Sequence, residues 1–234
     1  MAARLIRTVP RKNQDRQRLS QFKKGVADVS PRQDERGLTS ATPYLLYVGV
    51  AYPHKNLEGL IKAFQIFHDK YSKDYHLILV GEENYFYRRL RRHCERSEAI
   101  SSPDGHRGPR NDKILFTGFV PDSRLPELYR NASLYIFPSF SEGFGLPGLE
   151  AMSYGLPVIA SNNSCLPEIY GQAALYFDPH NPEEMAAAMN KVLTDKNQQE
   201  QLRQRGFEQA KKYSWEKCGQ QTLEVYKQIL QNEV

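Results

Sequence analysis

The chain has 234 residues, 40% of them hydrophobic and 25% charged, which is ample for a packed core and excludes a low-complexity or charge-dominated disordered chain. Its formal net charge of +5 points to an acidic partner, such as a phosphorylated ligand, an anionic membrane or a nucleic acid. Cys94, Cys165 and Cys218 are odd in number and scattered; they exclude a disulfide scaffold, fit no metal-ligand spacing and suit a reducing compartment.

Residues 1–42 are polar and basic, with Arg4, Arg7, Arg11, Lys12, Arg16, Arg18, Lys23 and Lys24 among few apolar residues. They read as a tail or linker, with room for one short helix around Asp15 to Lys24. The absence of interleaved aromatics argues against nucleic acid, leaving anionic lipid headgroups as an alternative for this stretch. No run is long and apolar enough to span a bilayer, and the N-terminus lacks a signal-like apolar region. The expected location is cytoplasmic, or peripheral to the inner face of the membrane.

From Tyr44 the pattern changes. Tyr44-Leu45-Leu46-Tyr47-Val48, closed by Gly49, reads as a buried strand. Pro53-His54-Lys55-Asn56 is a turn, with Asn56 placed to cap a helix carrying Leu57, Leu60, Ile61, Phe64 and Phe67. His76 to Val80 is the next strand, and Glu82 to Arg92 the next helix. Residues 93–112 then break the pattern with loop chemistry such as Ser101-Ser102-Pro103-Asp104-Gly105. So long a polar interruption is unusual in a compact α/β domain, and 93–112 read as a surface insertion.

The alternation resumes with a strand at Ile114 to Phe116, and Asp122 or Ser123 caps a short helix through Tyr129. Strands follow at Leu134 to Phe137, Pro157 to Ala160 and Ala174 to Phe177. Asn181-Pro182-Glu183-Glu184 starts a helix, with a cap, proline in the first turn and acids near the positive end of the dipole. Two more helices run from Gln198 to about Tyr213 and from Ser214 to about Gln231. The fold class is therefore α/β, a doubly wound parallel sheet over residues 43–234.

In such a sheet, ligands sit beyond the carboxyl ends of the strands. The candidates lie there: Gly49 to Lys55, Gly81 to Glu83, Thr117 to Val120, Ser139 to Gly145, and Ser161 to Ser164. The densest is Pro138-Ser139-Phe140-Ser141-Glu142-Gly143-Phe144-Gly145-Leu146-Pro147, strand end to glycine loop to helix start, which aims backbone N–H groups at an anion. Glu142 and Glu150 bracket it, and on residue type alone they read as a capping or salt-bridged pair. Lys55 is the cation a turn places at a strand end, suited to a diphosphate. The histidines lie at no ligand spacing.

Glu142 and Glu150, eight positions apart, form an E-x7-E motif. Together with Pro138-Ser139, Gly143 to Pro147 and Glu150-Ala151-Met152-Ser153-Tyr154-Gly155-Leu156-Pro157-Val158, this resembles the retaining GT-B glycosyltransferases of the group 1, GT4-like family. The likeness runs from about Tyr44 to Leu230 and implies the C-terminal, donor-binding half of a two-domain enzyme. It implies transfer of a sugar from a nucleotide diphosphate sugar to an acceptor hydroxyl with retention, without a metal or resident cofactor.

By that resemblance Glu142 is the catalytic glutamate facing the donor sugar. Glu150 accepts from the ribose hydroxyls, and Lys55 binds the diphosphate. Gly143, Phe144, Gly145 and Leu146 meet phosphate and sugar, and Gly118 and Phe119 flank the base. The acceptor half, roughly 150–200 residues in a typical domain, would come from a partner protein or another chain, with self-association of the exposed wall as the alternative. A non-catalytic nucleotide-sugar-binding module is the competing reading. The sugar, the base and the acceptor are not encoded legibly.

Overall fold

A computed structural model describes residues 42–97 and 113–232. The basic segment before residue 42 and most of the expected insertion, 98–112, lie outside the described residues. Among those described, β1 (Tyr44–Val48), β2 (His76–Val80), β3 (Ile114–Gly118), β4 (Leu134–Phe137), β5 (Val158–Ser161) and β6 (Ala174–Phe177) form one sheet. Its order is β3-β2-β1-β4-β5-β6, and every pairing is parallel. The strand order reverses direction between β1 and β4, and that crevice is where an open α/β sheet takes its ligand.

The strands are short apolar runs because both faces of the sheet are covered. On one face Leu45, Tyr47, Leu77, Leu79, Ile136 and Ile159 share a core with α1 (Leu57–Lys70), α2 (Tyr85–Ser97) and α6 (Pro182–Thr194). Phe64 and Phe67 of α1, and Met185 and Met189 of α6, are almost fully buried there. Each such side chain contributes about 1.5–3 kcal/mol of burial free energy.

The other face is covered by α3 (Leu125–Asn131), α4 (Leu146–Ser153), α5 (Leu166–Tyr170) and α7 (Lys196–Ala210). Tyr44 donates its hydroxyl to the Leu128 carbonyl, Tyr135 packs on Tyr129, and Phe137 meets Tyr170 edge-on. The last helix, α8 (Trp215–Asn232), falls in a separate compact unit from residues 39–211 and is described by itself. It carries Leu223, Tyr226 and Leu230 at helical spacing.

Helix starts were only partly foreseen. Asn181 caps α6 through its side chain, accepting from the Glu184 amide at 3.1 Å. Asp195 does the same for α7 through the Gln198 amide at 3.0 Å, so that helix begins at Lys196 rather than Gln198. Neither Asp122 nor Ser123 caps α3; Arg124 holds the capping position without a side-chain bond. Asn56 stands at the N-cap of α1 but turns its side chain elsewhere, with consequences described below.

The expected insertion also starts differently. Helix α2 continues through Ser97, and Cys94 is 5% exposed within the core. Four residues after Leu90, Cys94 lies on the same helix face, which is why it is carried inward. Exchange of residues 98–112 for a short Gly/Ser linker is expected to leave Tm unchanged. The same exchange begun at Cys94 is expected to lower Tm by about 4 °C, through loss of a buried side chain and the last helical turn. Thermal melts of the two variants check this.

Candidate functional site

After β1 the chain makes one turn of 3-10 helix, Pro53–Lys55. Asn56 follows in the left-handed conformation, φ 55° and ψ 40°. Its buried side-chain amide donates to the Pro138 carbonyl at 3.1 Å and to the Pro179 carbonyl at 2.8 Å. A Cβ at Gly59 would collide with this amide, so the next turn of α1 leaves it room. The Phe140 amide donates to the His54 carbonyl at 2.8 Å, and the Phe140 ring stacks on His180 at 4.6 Å between centroids. The turn after β1 is thereby fixed against the segments after β4 and β6.

This docking brings Lys55 to Glu142 across 87 positions of sequence. The Lys55 ammonium donates to both carboxylate oxygens, at 2.7 and 2.8 Å, and the two side chains are 18% and 9% exposed. The pair is charge-assisted and bidentate on the carboxylate side. Glu142 also has its main chain held: its amide donates to Ser164 Oγ, and its carbonyl accepts from Ser164 Oγ and Cys165 Sγ.

The glycine loop is shaped from beneath by Tyr170, which donates to the Gly145 carbonyl at 2.5 Å. A Cβ at either Gly145 or Gly148 would run into the Tyr170 hydroxyl, and Gly145 has φ +92° as it caps α4. Gly143 is different: a Cβ there would meet nothing within 4 Å. Its side of the loop faces open space, so a ligand has access to the main chain. Phe144 and Leu146 are each 38% exposed beside it.

Glu150 sits one turn into α4. Tyr129 donates its hydroxyl to Glu150 Oε2 at 3.0 Å. Tyr129 in turn stacks flat on Tyr154, with the Arg130 guanidinium over the outer face of that ring. Burial pushes the Glu150 carboxyl above the ordinary carboxylate range, the Tyr129 bond pulls it down, and Asp122 adds a smaller upward push. Burial, then the charge of Glu150, raise the Tyr129 phenol well above its ordinary value.

At the β3 end the Gly118 amide donates to Tyr87 Oη at 2.9 Å, and the Gly118 carbonyl accepts from the Gly81 amide at 3.2 Å. Burial lifts the Tyr87 phenol to about 12, partly offset by the Gly118 amide. Gly118, at φ +71°, lies in open space on its side-chain side, and Phe119 beyond it is 72% exposed. Among the described residues no group of His, Cys, Asp and Glu could hold a metal, and no helix is long and apolar enough to cross a membrane.

Lys55, the loop from Glu142 to Gly145, and Gly118 with Phe119 therefore lie at the carboxyl ends of β1, β4 and β3. Lys55 and Glu142 are in contact, with Glu150 carried on the helix that follows the loop. Sequence reasoning placed Ser164 among the strand-end candidates without a role, and missed Asn56 as a brace, Tyr129 and Tyr170. Their bonds join residues 21 to 123 positions apart, which local spacing does not reveal.

The raised Glu150 carboxyl has a consequence for stability. The folded state holds this proton more tightly than the unfolded state. Its contribution to stability is therefore full below the unfolded pKa and is lost as pH rises through the folded one. Glu150→Gln keeps an acceptor for Tyr129 and removes the charge. At pH 7 its Tm is expected to exceed wild type by about 1–3 °C, with the gain vanishing as pH is lowered toward 4. Melting curves across that range measure it.

With this geometry in hand, comparison with known proteins is informative. Residues 31–209 match the model of a family described as glycosyl transferases group 1. O-antigen chain mannosyltransferase B of Escherichia coli is 41% identical over 184 residues, covering 79% of this chain and 45% of that protein. The serotype-specific mannosyltransferase WbdA of E. coli is 31% identical over 81% of this chain, but over only 22% of its own length. The chain thus spans less than half the length of these relatives. Sucrose-phosphate synthase from Thermosynechococcus elongatus superposes with a TM-score of 0.69 at 26% identity, over 83% of this chain and 47% of the synthase. The C-terminal domain of a group 1 family glycosyl transferase (LpcC) from Francisella tularensis shares the fold at TM-score 0.59 and 24% identity, over 73% of this chain and 85% of that domain. The parallel sheet, its switch point and the sequence match agree: the chain belongs to the group 1 glycosyltransferases, with the fold of their C-terminal GT-B domains.

Proposed function

We propose that this chain is the donor-binding half of a retaining hexosyltransferase that takes a nucleoside diphosphate sugar, with mannose as the transferred sugar. The observation that carries the reading is the meeting of Lys55 with Glu142 at the switch point of the sheet. A cation from the turn after β1 and the first motif glutamate converge where a ligand must enter. The choice of mannose rests on the E. coli relative at 41% identity.

In this reading the free site is electrostatically closed on itself, because Glu142 neutralises Lys55. An incoming diphosphate carries more negative charge than one carboxylate and competes for the ammonium. Lys55 then holds the diphosphate, and Glu142 is released toward the hydroxyls of the donor sugar. Charge developing on the departing nucleoside diphosphate is stabilised by Lys55 and by the main-chain amides of Gly143, Phe144, Gly145 and Leu146 at the start of α4. Glu150 accepts from the ribose hydroxyls, for which an acceptor-only group is suited. Gly118 and Phe119 flank the base, Phe119 by its exposed ring.

Two measurements test this. Calorimetry with GDP-mannose, UDP-glucose and ADP-glucose, and with their free diphosphates, should show binding of at least one pair to the purified chain. Lys55→Ala should weaken diphosphate binding about tenfold, the scale of one lost charged hydrogen bond, and leave nucleosides unaffected. A folded sample that binds none of these ligands overturns the proposal.

The second measurement concerns transfer. Orienting the acceptor supplies a large share of the rate in a bimolecular reaction, and the proposal assigns that task to a separate acceptor domain. The chain alone should therefore transfer no sugar to water, sugar or lipid acceptors, and transfer should appear when a protein supplying the acceptor domain is added. Transfer by the chain alone would place an acceptor site within it. Binding with no transfer under either condition would favour a non-catalytic nucleotide-sugar module.

A further inference from the structure

We propose that Ser164 is a positioning residue for Glu142 and so sets how the sugar end of the donor is held. The proposal rests on the reading of Glu142 given above. Among the described residues only Asn56 and Ser164 are non-glycine with positive φ, at 55° and 59°. A left-handed backbone costs a side-chain-bearing residue free energy. Asn56 has a buried amide with two carbonyl acceptors to set against that cost.

The bonds of Ser164 to Glu142 are exposed. The Ser164 Oγ accepts from the Glu142 amide at 3.2 Å and donates to the Glu142 carbonyl at 2.8 Å. One hydroxyl thus engages both polar main-chain groups of a residue 22 positions away. The neighbouring Cys165 thiol adds a bond to the same carbonyl at 3.3 Å. Exposed hydrogen bonds return little net stability, because water replaces them readily. Fold stability therefore gives a weak reason for serine in this conformation, where glycine would sit without strain.

Position gives a stronger reason. Without ligand the Glu142 side chain is held by Lys55. Once a diphosphate takes the ammonium, the anchors that remain on this residue among the described contacts are the main-chain bonds to Ser164 and Cys165. The loop offers little rigidity of its own next to Glu142, since Gly143 follows with open space around it. The clamp acts at the stage when the carboxylate faces the sugar, and it keeps the carboxylate at a fixed height above the sheet edge. Its effect falls on the sugar and leaves the nucleoside diphosphate alone.

Two variants separate positioning from structure. Ser164→Gly removes the hydroxyl and relieves the backbone; Ser164→Ala removes the hydroxyl and keeps the strain. Tm should hold or rise by about 2 °C in the first and fall by about 2 °C in the second. Calorimetry with GDP and GDP-mannose, or with whichever pair the donor screen returns, is the functional readout. Both variants should keep GDP affinity within twofold and lose GDP-mannose affinity about five- to tenfold. Retention of GDP-mannose affinity within twofold in both variants, with GDP binding intact, overturns the inference and leaves the donor reading standing. A loss seen only in the less stable Ser164→Ala assigns the hydroxyl a structural role and also overturns it. Failure of wild type to bind either member of every pair overturns the donor reading, and this inference with it.

Discussion

The site depends first on one buried amide. Asn56 donates to the Pro138 and Pro179 carbonyls, and those two prolines stand just beyond β4 and β6. Loss of the amide would leave two carbonyls to find other partners, and each buried unsatisfied group costs about 1–3 kcal/mol. Geometry matters more than the energy. Three segments far apart in the chain meet at Asn56, and residue 55 is the one immediately before it. The turn can dock there because β1 and β4 are neighbours in the sheet, at the point where the strand order reverses. The topology opens the crevice, the amide locks a cation beside it, and the glycine loop after β4 places a carboxylate opposite.

That arrangement runs against simple stability in several places. Glu150 is half-buried with its carboxyl held above the usual range. Ser164 and Asn56 occupy left-handed backbone. Gly145 at the cap of α4 and Gly148 in its first turn make room for Tyr170. Local departures of this kind cluster at the carboxyl edge of the sheet, whereas the strands and the cores on either side follow ordinary rules. Such segregation is expected where binding chemistry has been fitted onto a stable scaffold.

The scaffold was legible because its signals are local. Each of β1, β2, β4 and β6 is a four- or five-residue apolar run with turn chemistry beyond it, and their observed bounds agree with that reading. Helix α6 declares itself through Asn181, Pro182 and two acids. Asn56 carried the same capping chemistry and was used otherwise, because a buried tertiary partner for an amide outweighs an exposed local one. Cys94 reads from composition as part of the polar stretch that follows it, although its spacing from Leu90 marks it as an inward position of α2. Glycine was legible in kind but not in cause. Gly143 has the open surroundings that ligand approach demands, while Gly145 and Gly148 answer also to a tyrosine more than twenty residues away.

The two motif glutamates are held by different physics, and this sets what each can do. Glu150 rides on a helix, and its carboxylate is steadied by a phenol that is itself buried, stacked and far from ionising. Its position is fixed before any ligand arrives. Glu142 lies on a loop, with its carboxylate committed to a cation that an anionic ligand would claim. In the proposed donor reading, the end of the site around Glu150 is preorganised, and the end around Glu142 would change partners when charge enters. Preorganisation lowers the cost of binding a group common to many ligands. A partner exchange driven by the proposed diphosphate would make the other end responsive only after the ligand is in place. One pair of carboxylates, eight positions apart on a single loop and helix, thus provides a rigid contact and a conditional one.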